Sequence, residues 1–144
     1  LEAMAWNLAH TGGEICAVMD ARRSQVYNAR FRAEGGTLSR LCADRAIGLD
    51  ALADELRKAE KPQILVGDGA FLCYTTLKDL GLDLCLAPPH LRFQSAWGVA
   101  RAALELSRAG ALTRASELSI AYHRLSQAER ERLAKRQKEQ NKGE

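Results

Sequence analysis

Residues 14–31 read Glu-Ile-Cys-Ala-Val-Met-Asp-Ala-Arg-Arg-Ser-Gln-Val-Tyr-Asn-Ala-Arg-Phe. Residues 14–19 are apolar after the glutamate and read as a buried strand. Asp20-Ala21-Arg22-Arg23-Ser24 is a polar turn. Residues 25–31 then alternate, with Tyr27, Ala29 and Phe31 on one side and Asn28 and Arg30 on the other, the period of a half-buried strand. Gly35-Gly36 supplies the positive φ of a hairpin turn, and residues 37–47 read as a third, more polar strand. Three strands joined by short turns predict an antiparallel meander.

Beyond the meander the period changes. Leu49, Leu52, Ala53 and Leu56 mark a helix over about 49–60, because i, i+3, i+4, i+7 spacing places them on one face. Residues 62–66 read as a buried strand closed by Gly67-Asp68-Gly69, residues 70–80 as a helix stopped by Gly81, and residues 82–86 as a further strand. Residues 94–109 read as a helix with a small-residue face, carrying Trp97, Val99, Ala100, Ala103, Leu104 and Leu106. Upstream, Leu1, Met4, Ala5 and Leu8 form a helical stripe that begins at the first residue with no N-cap, so the chain reads as a piece of a longer protein. Ser126-Gln127-Ala128-Glu129 matches a capping box and predicts a last helix from 127. The order β-β-β-α-β-α-β-α gives an α/β fold with a mixed sheet of about five strands and helices on its faces. By analogy, this order resembles the ribonuclease H-like layout, a half of the actin-like ATPase superfamily, a fold that hosts many functions.

The chain has 144 residues and a formal net charge of +3, which suits one domain and lacks the basic excess of a dedicated nucleic-acid binder. Residues 126–144 hold six basic side chains and four Glu, so this tail carries +2 of the +3. The division expected is a domain over 1–125 and a charged helix or tail over 126–144, mobile beyond about Arg136. No apolar run approaches the ~20 residues of a membrane helix. The four cysteines lack C-x-x-C spacing and sit among apolar neighbours, which predicts reduced, buried thiols and a cytoplasmic protein.

Chemistry-bearing patterns are sparse. Asp20 and Asp68 each follow an apolar strand, where two carboxylates can hold a metal for hydrolysis, but turn roles account for both. Gly67-Asp68-Gly69 precedes a helix, yet matches neither G-x-x-x-x-G-K-[ST] nor G-x-G-x-x-G. The three histidines show no metal-ligand spacing, and no serine stands in a G-x-S-x-G elbow.

Four stretches, in this order, resemble one family: Leu1-Glu2-Ala3-Met4-Ala5, the segment from Met19 to Tyr27 with its Asp20-Ala21-Arg22-Arg23 start, Val66-Gly67-Asp68-Gly69-Ala70, and the segment from Leu118 to Arg130 containing Tyr122-His123-Arg124. They are similar to the second half of the TsaB (YeaZ) family of tRNA threonylcarbamoyladenosine synthesis. The resemblance covers residues 1–130 and makes Asp20, Arg22, Arg23, Tyr27, Gly67, Asp68, Gly69, Tyr122 and Arg124 family-motif positions of unassigned role. One departure is Ile120, where the family usually has proline. The resemblance implies a non-catalytic subunit acting with TsaD, which modifies tRNA, and with TsaE, an ATPase. It implies no cofactor in this chain, ATP and metal in the partner subunits, only indirect contact with tRNA, and no membrane. A homodimer is compatible with it. The surface for TsaD would lie mainly in a first half not contained here, leaving an apolar patch around Leu1, Met4 and Leu8. The alternative is a metal-dependent ribonuclease H-like or glycoprotease-type hydrolase using Asp20 and Asp68.

Overall fold

A computed structural model describes residues 1–123 together with Arg132 and Lys135. The expectations for the tail over 126–144, its helix and its boundary therefore lie outside the described residues, as does Arg124. The elements are α1 (Glu2–Trp6), β1 (Gly13–Asp20), β2 (Gln25–Glu34), β3 (Thr37–Arg40), β4 (Arg45–Gly48), α2 (Leu49–Leu56), β5 (Gln63–Val66), α3 (Ala70–Leu77), β6 (Leu84–Leu86) and α4 (Ala96–Arg108).

The sheet runs β3-β2-β1-β5-β6, with β4 also paired to β2. β1 and β2 are antiparallel from Gly13↔Ala33 to Asp20↔Val26, whereas β1–β5 and β5–β6 are parallel. This is the expected mixed sheet, with six strands in place of about five. The extra strand arises because the predicted third strand is broken. Phe31↔Arg40 and Asn28↔Arg45 leave residues 29 and 30 of β2 facing residues 41–44, a bulge that bends the edge. Its polar groups are met locally: the Leu41 amide donates to Arg30 O (2.8 Å), and the Arg30 amide to Cys42 Sγ (3.2 Å).

Alternation along β1 assigns each face its helices. Cys16 and Val18 pack with Val26 and Leu65 beneath Leu49, Leu52, Ala53 and Leu56 of α2 and Ala70, Cys73 and Leu77 of α3. Ile15 and Ala17 face the other way, with Ala29, Phe31 and Val66, beneath Met4, Ala5 and Leu8 around α1. The patch expected at the start of the chain is thus corrected: Met4 and Leu8 are 1% and 0% exposed, because this stripe covers the sheet. α4 lies outside α1. A Cβ on Gly98 would stand 2.1 Å from the Ala3 carbonyl oxygen, so only glycine permits this crossing. Ser95 caps α4 by accepting from the Gly98 amide (3.0 Å) and donates to Asn7 Oδ1 (2.8 Å).

The cysteine expectation holds for two of four. Cys16 and Cys73 are buried, and burial pushes both thiols up to about 12, whereas Cys42 is half-buried and Cys85 exposed. All four are free thiols. Among the described residues no helix is long and apolar enough to cross a membrane.

Candidate functional site

The fold brings most of the motif positions to one edge, where β1 and β5 finish. Arg22, Arg23 and Ser24 all have positive φ, at 61°, 55° and 57°. For L-residues other than Gly, Asn or Asp, each left-handed position costs about 1–2 kcal/mol. Local bonds hold the turn in place. The Arg22 amide donates to Asp20 Oδ1 (2.7 Å), Ala21 to Gln25 O (3.0 Å), and Gln25 to Arg22 O (3.2 Å). The Leu49 amide donates to Ser24 O (3.0 Å), which ties the turn to the start of α2. Arg22, Arg23 and Ser24 are all exposed.

The β5–α3 turn lies against this one. Gly67 has φ +111°, and a Cβ there would stand 2.0 Å from the Val18 carbonyl oxygen. A Cβ on Gly69 would meet the Asp20 amide nitrogen at 3.0 Å. The two glycines thus serve close backbone approach. The Gly67 amide donates to Arg92 O (2.7 Å), and the Gly69 amide reaches Val18 O (3.3 Å). Between the glycines, Asp68 lines a cavity of about 250 Å³ with Met4, Met19, Phe93 and Gln94. Tyr27 pairs with Met19 across the β1–β2 ladder and is half-buried. Tyr122 stands apart in character, 81% exposed in the irregular segment after α4.

This edge is poorly equipped for metal chemistry. Among the described residues no three His, Cys, Asp or Glu side chains cluster as a metal site. One Asp20 oxygen is committed to its own turn.

The opposite edge holds a polar network that sequence reading missed. Glu14 is 5% exposed and accepts from Arg30 (2.8 Å), Arg32 (2.9 Å) and Gln63 Nε2 (2.8 Å). Gln63 Oε1 in turn accepts from Arg30 Nε (3.3 Å). Burial acts to raise the Glu14 carboxyl, but the bonds from Arg32 and Gln63 and the Arg30 charge outweigh it and hold the group below its ordinary range. Nearby, Arg45 forms a fork onto Glu55 (2.9 and 2.5 Å) and also donates to Asn28 Oδ1. The Arg45 bond lowers the Glu55 carboxyl. The polar side of β2 is therefore partly covered: Asn28 is buried, Arg30 half-buried and Arg32 exposed. The one sequence signal was Asn28 and Arg30 alternating with apolar residues, which equally describes a solvated face.

No family model matches the chain. Over 80 residues it is 29% identical to a Bacillus subtilis protein named tRNA threonylcarbamoyladenosine biosynthesis protein TsaB, covering 56% of this chain and 35% of that protein. Its fold matches a Pseudomonas aeruginosa crystal structure described as similar to peptidase YEAZ, with TM-score 0.65 and 16% identity over 86% of this chain and 56% of that one. A second, YeaZ from the same organism, matches with TM-score 0.59 and 15% identity over 85% of this chain and 56% of that one. The chain is similar to TsaB in sequence over part of its length and to YeaZ in fold over most of it. It shares the fold of these YeaZ structures, and it spans about half the length of the YeaZ chains and about a third of the TsaB protein. The Asp20–Ser24 turn and Gly67-Asp68-Gly69, expected from the sequence as motif positions, meet at one edge of the sheet.

Proposed function

We propose that this chain serves tRNA threonylcarbamoyladenosine synthesis as part of a non-catalytic subunit acting in the cytoplasm with TsaD and TsaE. The observation that carries this is the strained, arginine-bearing turn at residues 20–24. Three left-handed non-glycine residues in a row work against folding, and strain of this kind is retained at sites of function. Arg22 and Arg23 stand on the exposed tip of that turn, where a partner can reach them. In this reading Asp20 and the glycines of the β5–α3 turn shape the surface, and chemistry, ATP and metal belong to the partner subunits. The main TsaD surface lies in the part of the family's length that has no counterpart here, so residues 1–144 alone bind TsaD weakly.

The test is reconstitution. A chimera in which the first half of the Bacillus subtilis TsaB precedes residues 1–144 should support formation of the modified adenosine in a reaction lacking TsaB. The same chimera should bind TsaD more tightly in calorimetry than residues 1–144 alone. A chimera that binds TsaD yet supports no modification would overturn the reading. Mg²⁺ titration followed by amide NMR covers the hydrolase alternative, since localised shifts at both Asp20 and Asp68 would favour it.

A further inference from the structure

Two apolar features face solvent. The outer side of α4 exposes Trp97, Val99, Leu104 and Leu106, and nothing among the described residues covers it. The cavity beside the β5–α3 turn is more closely defined. Its walls are Met4, Met19 and Phe93, with the Asp68 carboxylate and the Gln94 amide as polar groups. At ~30 Å³ per water, its volume of about 250 Å³ equals roughly eight waters, room for a chain of about five heavy atoms. The walls are fixed before any ligand arrives. Gly67 and Gly69 hold the turn against β1. The segment carrying Phe93 is tied down by the Gly67 amide, which donates to Arg92 O (2.7 Å), and by Asn7 Nδ2, which donates to Leu91 O (3.1 Å) and Phe93 O (2.8 Å). A site built this way loses little ordering entropy on binding.

Charge selects the ligand. Among the described residues Asp68 has no ion-pair partner, and no side chain caps α3, whose N-cap is Gly69. The base on the Phe93 segment, Arg92, turns its guanidinium to Ala87 O through Nε (3.0 Å) and Nη2 (2.8 Å). Asp68 thus presents an unpaired carboxylate at an otherwise apolar wall. Phe93 adds to its pull on cations. The Phe31 and Trp6 rings each hold a guanidinium, Arg40 at 4.7 Å and Arg101 at 4.6 Å, whereas Phe93, 55% exposed, holds none among the described residues. An aromatic face, two thioethers and one carboxylate suit a cation with an apolar body. A bare metal ion fits poorly, because hard cations need several oxygen ligands and these walls offer only the side chains of Asp68 and Gln94. We propose that this cavity binds an alkylammonium group, which donates its N–H bonds to Asp68 and lays its chain between Met4, Met19 and Phe93. The proposal is independent of the tRNA reading, since it requires neither TsaD nor tRNA.

Amide NMR of the 144-residue chain titrated with n-butylammonium chloride tests this. Saturable shifts should appear at Met19, Gly67, Gly69 and Gln94. n-Butanol has the same chain without the charge and should bind at least about tenfold more weakly. Asp68→Asn, at an exposed position, should raise the butylammonium dissociation constant by at least about tenfold, with circular dichroism confirming the fold. Asp79→Asn, an exposed carboxylate beyond the other end of α3, should leave that constant unchanged. Nα-acetyl-lysine amide separates two sources of such a group. Affinity equal to that of butylammonium assigns the cavity to a lysine side chain, and weaker affinity assigns it to a free amine. A wild-type chain with no saturable shift would overturn the proposal. So would butanol binding as tightly as butylammonium, or a dissociation constant indifferent to Asp68→Asn.

Discussion

At the edge where β1 begins, Glu14 is buried and every bond it accepts lowers the energy of the fold. Where β1 ends, Arg22, Arg23 and Ser24 are held in left-handed backbone that raises it. The first edge is a closed ionic network with its donors matched to its acceptors. The second is a tip of exposed side chains on a backbone locked by Asp20 and by α2. The difference separates the edge from which this domain draws stability from the edge at which it gives stability up. Substitution at the first edge should cost stability. At the second, removing the strain should increase it.

The largest expected effect comes from Gly67, at the second edge, where close packing adds to backbone strain. Gly67→Ala drives a methyl group to within 2.0 Å of the Val18 carbonyl oxygen at φ +111°. Overpacking and backbone strain together should cost about 3–6 kcal/mol in urea unfolding. A loss below 1 kcal/mol would mean that β1 and the β5–α3 turn are not in close contact.

Next in size is Glu14→Ala, which leaves Arg30 and Gln63 without their acceptor and should cost about 3 kcal/mol. A neutral result would show the network to be ornament. The same network predicts a pH dependence. The Glu14 carboxyl titrates near 4.5 when unfolded and lower when folded, so its contribution is complete above 4.5 and is lost as pH falls through the folded value. The acid limb of stability against pH should flatten in Glu14→Gln; an unchanged limb would assign it to other carboxylates.

Smallest is Ser24→Gly, which removes one left-handed penalty and exposes no new apolar surface. It should stabilise the chain by about 1 kcal/mol. A destabilisation would remove the contrast between the two edges.

The fold was legible in residues 14–86 because local signals agreed there. The alternation in β2, the glycine pair at 35–36 and the stripe of α2 each point to one element and one order. The break in the third strand was not legible, since residues 41–44 look like any polar strand until β2 refuses to pair with them. The motif edge could be read as positions but not as geometry: nothing in Ala-Arg-Arg-Ser announces three left-handed residues, none of which is Gly, Asn or Asp. The Glu14 network was hidden for a different reason. Its members lie on three strands, and only the register Glu14↔Arg32 and Glu14↔Gln63 brings them together. α4 misled in a third way, because an amphipathic pattern states that one face is apolar and leaves open which way that face turns.

The central claim is that the β1–β2 turn is kept for function against its cost in stability. The most direct measurement is the yield of threonylcarbamoyladenosine in tRNA supported by the chimera carrying Arg22→Gly. That substitution relieves the backbone at φ 61° and removes the exposed guanidinium. The account predicts a chain at least as stable as wild type that supports at most about a tenth of the modification. Full modification by that variant would contradict it.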